Sequence, residues 1–355
     1  MKINNCKKFF RPNIARMTAY QPGEQPQTNS FIKLNTNESP YPTSELIVDR
    51  LKEACTGDLR LYPDPTAKRL RDRLSKIFSQ NPEQFIIGNG SDELLTIIIR
   101  SFAEKGDPIA YAYPTYGYYQ PLIEVQGARA IVANYPDDFS LPQELAENNA
   151  RITFLVNPNS PSGTLLPLDI IDNLANHLDG ILVVDEAYVD FSSGGAMDLI
   201  KEHDNVIVVR TMSKSFGLAG LRIGFACAHA DIISGMLKVK EHYNVNSLSM
   251  VAAEAAVEDI ETMRINAAKI CQTREHLTNA LREMDFFVWN SEANFVLTRP
   301  QKIPARILYE ELKKQQILVR FFDQPRLNDC LRISIGTDEQ NRLLIENLRT
   351  ILTKL

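Results

Sequence analysis

The chain has 355 residues, of which 44% are hydrophobic and 23% charged, an ordinary globular composition with room for a large core and a second, smaller domain. Its net charge of −5 and the lack of a Lys/Arg cluster argue against a nucleic-acid partner, because such binding needs clustered positive charge. Its five cysteines are widely spaced without a C-x-x-C pair, which supports neither disulfides nor a metal site. With no signal peptide or long apolar run, we expect a cytoplasmic protein that does not span a membrane.

The first 30 residues are polar and rich in Asn, Gln and Pro, which is typical of a flexible arm. Tyr20 belongs to the one compact group within this arm. Residues 34–41 predict a short strand and an Asn-rich turn, in which the local pattern makes Asn37 part of an Asx turn. Tyr62 precedes a proline and is therefore held extended. Its plain interpretation is a ring packed on the surface of its own subunit.

Residues 85–95 run from a predicted strand through a glycine turn into an amphipathic helix. Gly88 and Gly90 permit a tight turn, and Ser91 can cap the helix, so free backbone N–H groups point outward at the positive end of the helix dipole. This pattern predicts a phosphate cradle. A G-x-G-x-x-G dinucleotide site is the alternative, and it is disfavoured because Glu93 stands where the third glycine belongs.

Further predicted strands end in polar or aromatic loops, at residues 107–116, 154–163 and 181–188. Tyr116 closes the aromatic loop of the first, although a tyrosine cluster in the core would look the same. Asp185 is the first polar residue after an apolar run, and Tyr188 follows three residues later. Taken alone, Asp185 suits a helix N-cap and Tyr188 a core ring. Several polar strand ends close together in the chain indicate a shared site instead.

The stretch that follows the apolar run at 206–209 carries the strongest chemical signal. A short β-branched run bounded by turn residues predicts a buried parallel strand, and open α/β sheets place their sites at the carboxyl ends of such strands. Ser213 and Arg222 both suit a phosphate, the arginine through its planar charged fork. Lys214 lies between them. We therefore predict a cofactor site that holds an anion, with Lys214 as the reactive amine.

The remaining residues predict a second, smaller unit. Residues 223–228 form one more strand, and a proline-free helical stretch at 247–283 leads into alternating strands and helices. Arg320 ends one of these strands and Arg332 lies inside another. A charged side chain in an otherwise apolar strand needs a partner. The plain interpretation is that a local Asp or Glu forms an ion pair with each arginine.

Together these motifs resemble the fold-type I pyridoxal-phosphate aminotransferases, and among them most closely the histidinol-phosphate aminotransferase family. The resemblance rests on N-P-N-x-P-x-G, D-E-A-Y, and S-K with L-A-G-L-R, and also on L-N-T-N-E-S-P-Y early and L-R-I-S-I-G late in the chain. It implies an α/β fold, with a mostly parallel seven-stranded sheet in a large cofactor-binding domain and a smaller α+β domain. The implied boundaries are an arm at 1–30, a small domain at 31–43 and 268–355, and a large domain at 44–267.

The resemblance also implies a role for each candidate residue. Lys214 forms a Schiff base with pyridoxal 5′-phosphate and moves protons, Asp185 pairs with the pyridinium nitrogen, and Tyr188 donates to the ring 3′-oxygen. The other implied cofactor contacts are Gly90, Ser91, Asp92, Tyr116, Asn157, Ser213, Arg222 and, from the neighbouring subunit, Tyr62. The implied substrate contacts are Tyr20, Asn37, Arg320 and Arg332.

One position departs from the family pattern. Ser160 precedes the Pro-x-Gly, where many relatives have an asparagine that contacts the 3′-oxygen. Asn157, Asn159 or Ser160 must then make this contact, and we expect Asn157.

The implied reaction converts L-histidinol phosphate and 2-oxoglutarate to imidazole acetol phosphate and glutamate in histidine biosynthesis, in a homodimer with shared active sites. An aromatic amino-acid aminotransferase and a threonine-phosphate decarboxylase resemble the same motifs, and spacing does not separate them. A noncatalytic ligand-sensing protein on this fold is disfavoured, because no basic DNA-binding domain is appended.

Overall fold

The computed structural model describes residues 6–26 and 30–354. Its strands, in chain order, are β1 Ile32–Leu34, β2 Phe85–Gly88, β3 Pro108–Tyr113, β4 Arg129–Asn134, β5 Ile152–Val156, β6 Ile181–Asp185, β7 Val206–Thr211, β8 Gly224–Ala228, β9 Phe286–Val288, β10 Phe295–Pro300, β11 Ile317–Phe321 and β12 Leu331–Ser334. Its α-helices are α1 Pro12–Arg16, α2 Glu45–Ala54, α3 Lys68–Phe78, α4 Ser91–Phe102, α5 Tyr119–Gln126, α6 Gln143–Ala146, α7 Leu168–His177, α8 Ala230–Leu237, α9 Ser247–Glu258, α10 Ile260–Glu283, α11 Ala305–Lys314 and α12 Asp338–Lys354.

The large sheet has seven strands in the order β2-β8-β7-β6-β5-β3-β4. All neighbours are parallel except β8, which is antiparallel to both β2 and β7. Its central strands are short apolar runs because helices cover both faces: α3, α7 and α9 pack on one face, and α4, α5 and α8 on the other. The predicted fold, a mostly parallel seven-stranded sheet with a smaller α+β unit, is confirmed.

The small sheet has five strands in the order β1-β11-β12-β10-β9. Only β1 and β11 are parallel among these pairs. Its core includes Leu277 of α10, Leu308 of α11 and Leu344 of α12, each with no exposed surface. Because β1 belongs to this sheet, the turn at residues 35–41 is brought from the far end of the chain against β12. The domain boundaries given above stay a prediction.

The predicted continuous helix at 247–283 is wrong at one point. α9 ends at Glu258 and α10 begins at Ile260, because Asp259 leaves the helical conformation with φ −104° and ψ 48°. Its carboxylate accepts a hydrogen bond from the Thr262 hydroxyl at 2.8 Å. Aspartate favours such helix starts, so the chain turns here without a proline. None of the described helices is long and apolar enough to cross a membrane.

Candidate active site

Two cavities share a border at the loops that follow β3, β5, β6 and β7. One has a volume of about 740 Å³ and the other about 100 Å³, and both are lined by Tyr116, Ser160, Tyr188 and Lys214. The smaller cavity is also lined by Ser91, Asp92, Asp185, Ser213 and Arg222. The larger is also lined by Tyr20, Asn37, Arg320 and Arg332. Carboxyl ends of parallel strands meet at one edge of a sheet, which is why residues distant in sequence gather here.

Asp185 is a buried carboxylate at the end of β6, with 3% of its surface exposed. Its Oδ2 accepts a hydrogen bond from the Tyr119 hydroxyl at 3.0 Å, and its Oδ1 accepts one from the Ala187 N–H at 3.1 Å. Burial raises its pKa to about 6. It makes no ion pair with any residue that the structure describes. A cationic ligand in the cavity would supply the missing partner.

An anion site lies at the N-terminus of α4. Gly90 caps this helix with φ 83°, a conformation suited to glycine. A Cβ built on Gly90 would lie 2.6 Å from Arg222 Nη2, so only glycine lets the guanidinium come this close. Arg222 donates to Ser213 Oγ at 3.3 Å and to Asp92 Oδ2 at 3.2 Å. Helix N-terminal N–H groups next to a guanidinium form a site for phosphate.

Lys214 is half-buried in the loop after β7. Its Nζ donates to the Thr36 carbonyl at 3.3 Å and lies 5.9 Å from the centre of the Tyr188 ring. The acceptor of this hydrogen bond is thus a main-chain carbonyl rather than a carboxylate. Weakly held in this way, the amine is available to a ligand in either cavity.

Arg332 carries a charge that no acid neutralises among the described residues. It donates from Nη1 to Ser160 Oγ at 3.2 Å and from Nη2 to the Asn35 carbonyl at 3.1 Å, and its Nε is buried without a hydrogen-bond partner. Its guanidinium also lies 5.1 Å from the centre of the Phe295 ring. Burial lowers its pKa. The alternative interpretation, an ion pair with a local Asp or Glu, is not found among the described residues, so the arginine is free to bind an anionic ligand.

Arg320 and Tyr20 belong to the contacts of the arm. Arg320 donates to the carbonyls of Gln21 at 3.1 Å and Pro22 at 3.2 Å. Tyr20 packs edge-on against Tyr116, with ring centres 6.1 Å apart. The arm therefore forms one wall of the larger cavity, and Arg320 both holds this wall and lines the cavity.

Asn37 lies in the larger cavity, but both polar atoms of its side chain already have partners in the protein. Its Oδ1 accepts from Ser334 Oγ at 2.8 Å, and its Nδ2 donates to Tyr188 Oη at 3.0 Å. Tyr116 likewise donates its hydroxyl to Asp92 Oδ1 at 2.9 Å. One amide hydrogen of Asn37 remains for a ligand.

Three predicted contacts line neither cavity: Gly90, which caps α4 as described above, Asn157 and Tyr62. Asn157 accepts from the Leu166 N–H at 2.8 Å and donates to the Leu166 carbonyl at 3.1 Å. The expectation for Asn157 is therefore corrected: its amide holds the loop, and Ser160 lines the cavities instead. Tyr62 is 79% exposed and stacks on Tyr243 with ring centres 4.4 Å apart. It lines neither cavity of its own chain.

The comparison with known families decides the affiliation. The model of the family "Aminotransferase class I and II" matches residues 29–348. The chain belongs to this family. The predicted family is therefore confirmed.

The relatives of this aminotransferase are named after the reactions that they catalyse. It is 43% identical over 346 residues to "Histidinol-phosphate aminotransferase 1" of Trichormus variabilis, covering 97% of this chain and 99% of the relative. Its structure is similar to histidinol-phosphate aminotransferase from Sinorhizobium meliloti in complex with pyridoxal-5′-phosphate, with a TM-score of 0.88, 26% identity and coverage of 97% and 98% of the two chains. It is also similar to L-threonine-O-3-phosphate decarboxylase from Porphyromonas gingivalis, with a TM-score of 0.81, 26% identity and coverage of 91% and 99%.

Sequence analysis missed two residues of this aminotransferase site. Tyr119 is fully buried, stacks on Phe154 with ring centres 4.6 Å apart, and donates to Asp185. Tyr119 is the first residue of α5, and its local sequence gives no sign of a contact with Asp185, 66 residues away. Ser334 donates to Asn37, and nothing in its local sequence indicates this contact.

A buried ion pair joins Arg210 to Glu186, the residue that follows Asp185 in the chain. Arg210 binds Glu186 Oε2 through Nε at 2.8 Å and Nη2 at 2.7 Å, and the Glu186 side chain is 0% exposed. Removing Glu186 leaves the largely buried Arg210 with only the longer contact to Asp190 at 3.8 Å, so we expect Glu186→Ala to lower the free energy of unfolding by about 3 kcal/mol, the low end for breaking a buried pair, in urea denaturation. The control is Asp198→Ala, because the Asp198–Lys201 pair is exposed and should contribute little. Equal effects of the two changes would contradict the prediction.

Proposed function

We propose that this aminotransferase uses pyridoxal 5′-phosphate to transfer the amino group of L-histidinol phosphate to 2-oxoglutarate. The observation that carries the proposal is the smaller cavity, which is lined by a buried carboxylate with no ion-pair partner among the described residues, a guanidinium at a helix N-terminus and a lysine amine. Pyridoxal phosphate carries a ring nitrogen, a phosphate and an aldehyde, which match these three groups. The relatives described above support the choice of substrate.

The residues present fit the cofactor. The N-terminus of α4 with Ser91, Ser213 and Arg222 would hold its phosphate, and Asp185 would accept from its ring nitrogen. A cation beside Asp185 offsets the burial of the carboxylate and lowers its pKa again, so Asp185 stays ionised when the site is filled. Tyr116 and Tyr188 line the same cavity and would flank the ring.

When bound, the cofactor supplies an electron sink for the carbon that bears the substrate amine. The protein must bind the substrate, exclude water and move protons at that carbon. Lys214 is the amine that lines both cavities, so it is placed to take a proton from one position and return it to another. Asp185 holds the ring nitrogen protonated, which favours the acceptance of electrons.

The larger cavity supplies the anion recognition that both substrates need. Arg332 has no acidic partner among the residues described and keeps one N–H unbonded. A guanidinium binds phosphate and carboxylate with the same fork. The phosphate of histidinol phosphate and a carboxylate of 2-oxoglutarate would therefore use Arg332 in turn, with Arg320 and the arm, including Tyr20, alongside it.

The test is a spectral titration of the purified, cofactor-loaded protein. We expect L-histidinol phosphate to convert the visible band of the cofactor to the amine form, and 2-oxoglutarate to restore it. O-phosphothreonine is the comparison ligand, because a threonine-phosphate decarboxylase shares the fold. Release of carbon dioxide from O-phosphothreonine, with no response to histidinol phosphate, would overturn the substrate but keep the cofactor.

Exposed Tyr62 leads to a prediction about assembly. If Tyr62 reaches the cofactor phosphate of a second subunit, Tyr62→Phe should weaken cofactor retention by about tenfold, on the scale of one hydrogen bond to a charged group. The control is Tyr243→Phe, which keeps the stack between the two rings. Mixing Tyr62→Phe with Lys214→Ala subunits should restore one complete site per heterodimer. Absence of rescue, measured as activity against mixing ratio, would argue against a shared site.

A further inference from the structure

A chain of buried hydrogen bonds links the small sheet to the cavities. Ser334, the last residue of β12, donates from Oγ to Asn37 Oδ1 at 2.8 Å, and Asn37 donates from Nδ2 to Tyr188 Oη at 3.0 Å. The exposed fractions are 3% for Ser334, 1% for Asn37 and 8% for Tyr188. Because so little of their surface reaches water, these bonds determine where the polar hydrogens point.

The bonds of Ser334 determine which way the Asn37 amide faces. Ser334 Oγ accepts from the Asn37 backbone N–H at 2.9 Å, and its own proton goes to Asn37 Oδ1. If the amide were turned over, the serine proton would lose this acceptor, and Oδ1 would face Tyr188 and take the phenolic proton. The observed bonds therefore keep the amide N–H, not the carbonyl, on the side of Tyr188.

The backbone of Asn37 is also fixed. Its φ of 57° lies in the left-handed region, which asparagine tolerates better than most residues. Its carbonyl accepts from Asn294 Nδ2 at 3.0 Å. The Asn37 backbone is therefore held in place, and the orientation of its side-chain amide is set by the hydrogen bonds to Ser334.

The consequence falls on Tyr188. Because its oxygen accepts from Asn37, its own proton remains available for a partner in the cavity that Tyr188 and Lys214 both line. Arg332 stands two residues before Ser334 on β12 and therefore on the same face of the strand. One strand thus carries both the proposed anion-binding arginine and the residue that orients Tyr188.

We propose that Ser334 is a positioning residue of this aminotransferase, which acts through Asn37 to keep the phenolic proton of Tyr188 directed at the bound cofactor's 3′-oxygen. The inference rests on the proposed function. A proton donated to that oxygen stabilises its negative charge, so the visible band of the loaded protein titrates at a lower pH. Loss of the serine hydroxyl should move this titration upward.

The test measures the pH midpoint of the visible absorption band in cofactor-loaded variants. Ser334→Ala should raise the midpoint by about 0.5–1 pH unit, the scale of one net hydrogen bond. Ser334→Thr, which keeps the hydroxyl, should restore the wild-type midpoint. Thr298→Val is the matched control, because Thr298 is a buried hydroxyl of the same sheet that donates to the Phe287 carbonyl at 3.0 Å. It should leave the midpoint unchanged.

The outcomes separate this inference from the proposed function. An unchanged midpoint in Ser334→Ala, or an equal rise in Thr298→Val, overturns the role of Ser334 and leaves the proposed function standing. A wild-type protein that shows no visible band with pyridoxal 5′-phosphate overturns both. If Ser334→Ala does not fold, Asn37→Asp replaces it, because a carboxylate facing Tyr188 captures the phenolic proton. That variant should also raise the midpoint, and an unchanged value overturns the inference.

Discussion

Replacing Asp185 by Asn is expected to remove most of the catalytic rate while making the cofactor-free protein more stable above pH 6. A neutral amide cannot hold the ring nitrogen of the proposed cofactor in its charged form, so turnover should fall by about 1000-fold or more, beyond the loss of one hydrogen bond to a developing charge. The fold should persist, because Asn Oδ1 can still accept from the Ala187 N–H that now binds Asp185.

The gain in stability follows from the raised pKa of Asp185. Burial moves this pKa from 3.8 to about 6 in the cofactor-free protein. The native state therefore holds the proton more tightly than the unfolded chain, and the free energy of unfolding falls as the pH rises from about 4 to about 6. A difference of about two pKa units corresponds to about 3 kcal/mol. Asparagine does not ionise and escapes this loss. The free energy of unfolding of Asp185→Asn should therefore exceed that of the wild type by about 3 kcal/mol at pH 8.

Denaturation of the cofactor-free proteins at pH 4 and pH 8 measures both parts of this prediction. The two proteins should unfold at similar denaturant concentrations at pH 4 and at clearly different ones at pH 8. Glu186→Gln is the matched control, because Glu186 is the neighbouring buried acid but is paired with Arg210. Its variant should be less stable than the wild type at pH 8. Near-normal turnover of Asp185→Asn, or no gain in stability at pH 8, would refute the assignment.

The sequence was sufficient to predict the large sheet and the edge at which the site lies. β5, β6 and β7 are short apolar runs followed directly by polar residues. This pattern indicates strands that are buried on both faces of the sheet and end in a loop. Asp185 and Lys214 could be placed at one edge because parallel strands align their carboxyl ends. The antiparallel direction of β8 did not follow from its pattern, since its five residues alone do not reveal direction.

Contacts made by side chains across long sequence distances could not be predicted. Asn157 was expected in the site because the family resemblance implies an asparagine of this turn at the 3′-oxygen, but its position in the turn directs the amide to the Leu166 backbone. The partner of Asn37 is Ser334, 297 residues away. Only the pairing of β1 with β11, and of β11 with β12, brings the two together. Local patterns carry no information about such a register.

Replacing Arg332 by Met is expected to lower kcat/KM by roughly 100- to 1000-fold, because charge-assisted hydrogen bonds to an anion each contribute about 1.5–3 kcal/mol. The same loss should appear with histidinol phosphate and with 2-oxoglutarate, since both anions would use Arg332, whose Nε has no hydrogen-bond partner in the protein, whereas Arg320 is bonded to the carbonyls of the arm. Cofactor affinity should change little, because Arg332 lines the larger cavity and not the smaller one.

Arg306→Met is the matched control for this prediction. Arg306 belongs to the same unit and lies 4.9 Å from the centre of the Phe321 ring, but it is paired with Asp323 at the surface. Its loss should leave both substrates' kcat/KM near the wild-type value. Initial rates with each substrate varied in turn give the two constants. A loss confined to histidinol phosphate would mean that the keto acid is bound elsewhere, and the shared use of Arg332 would then be wrong.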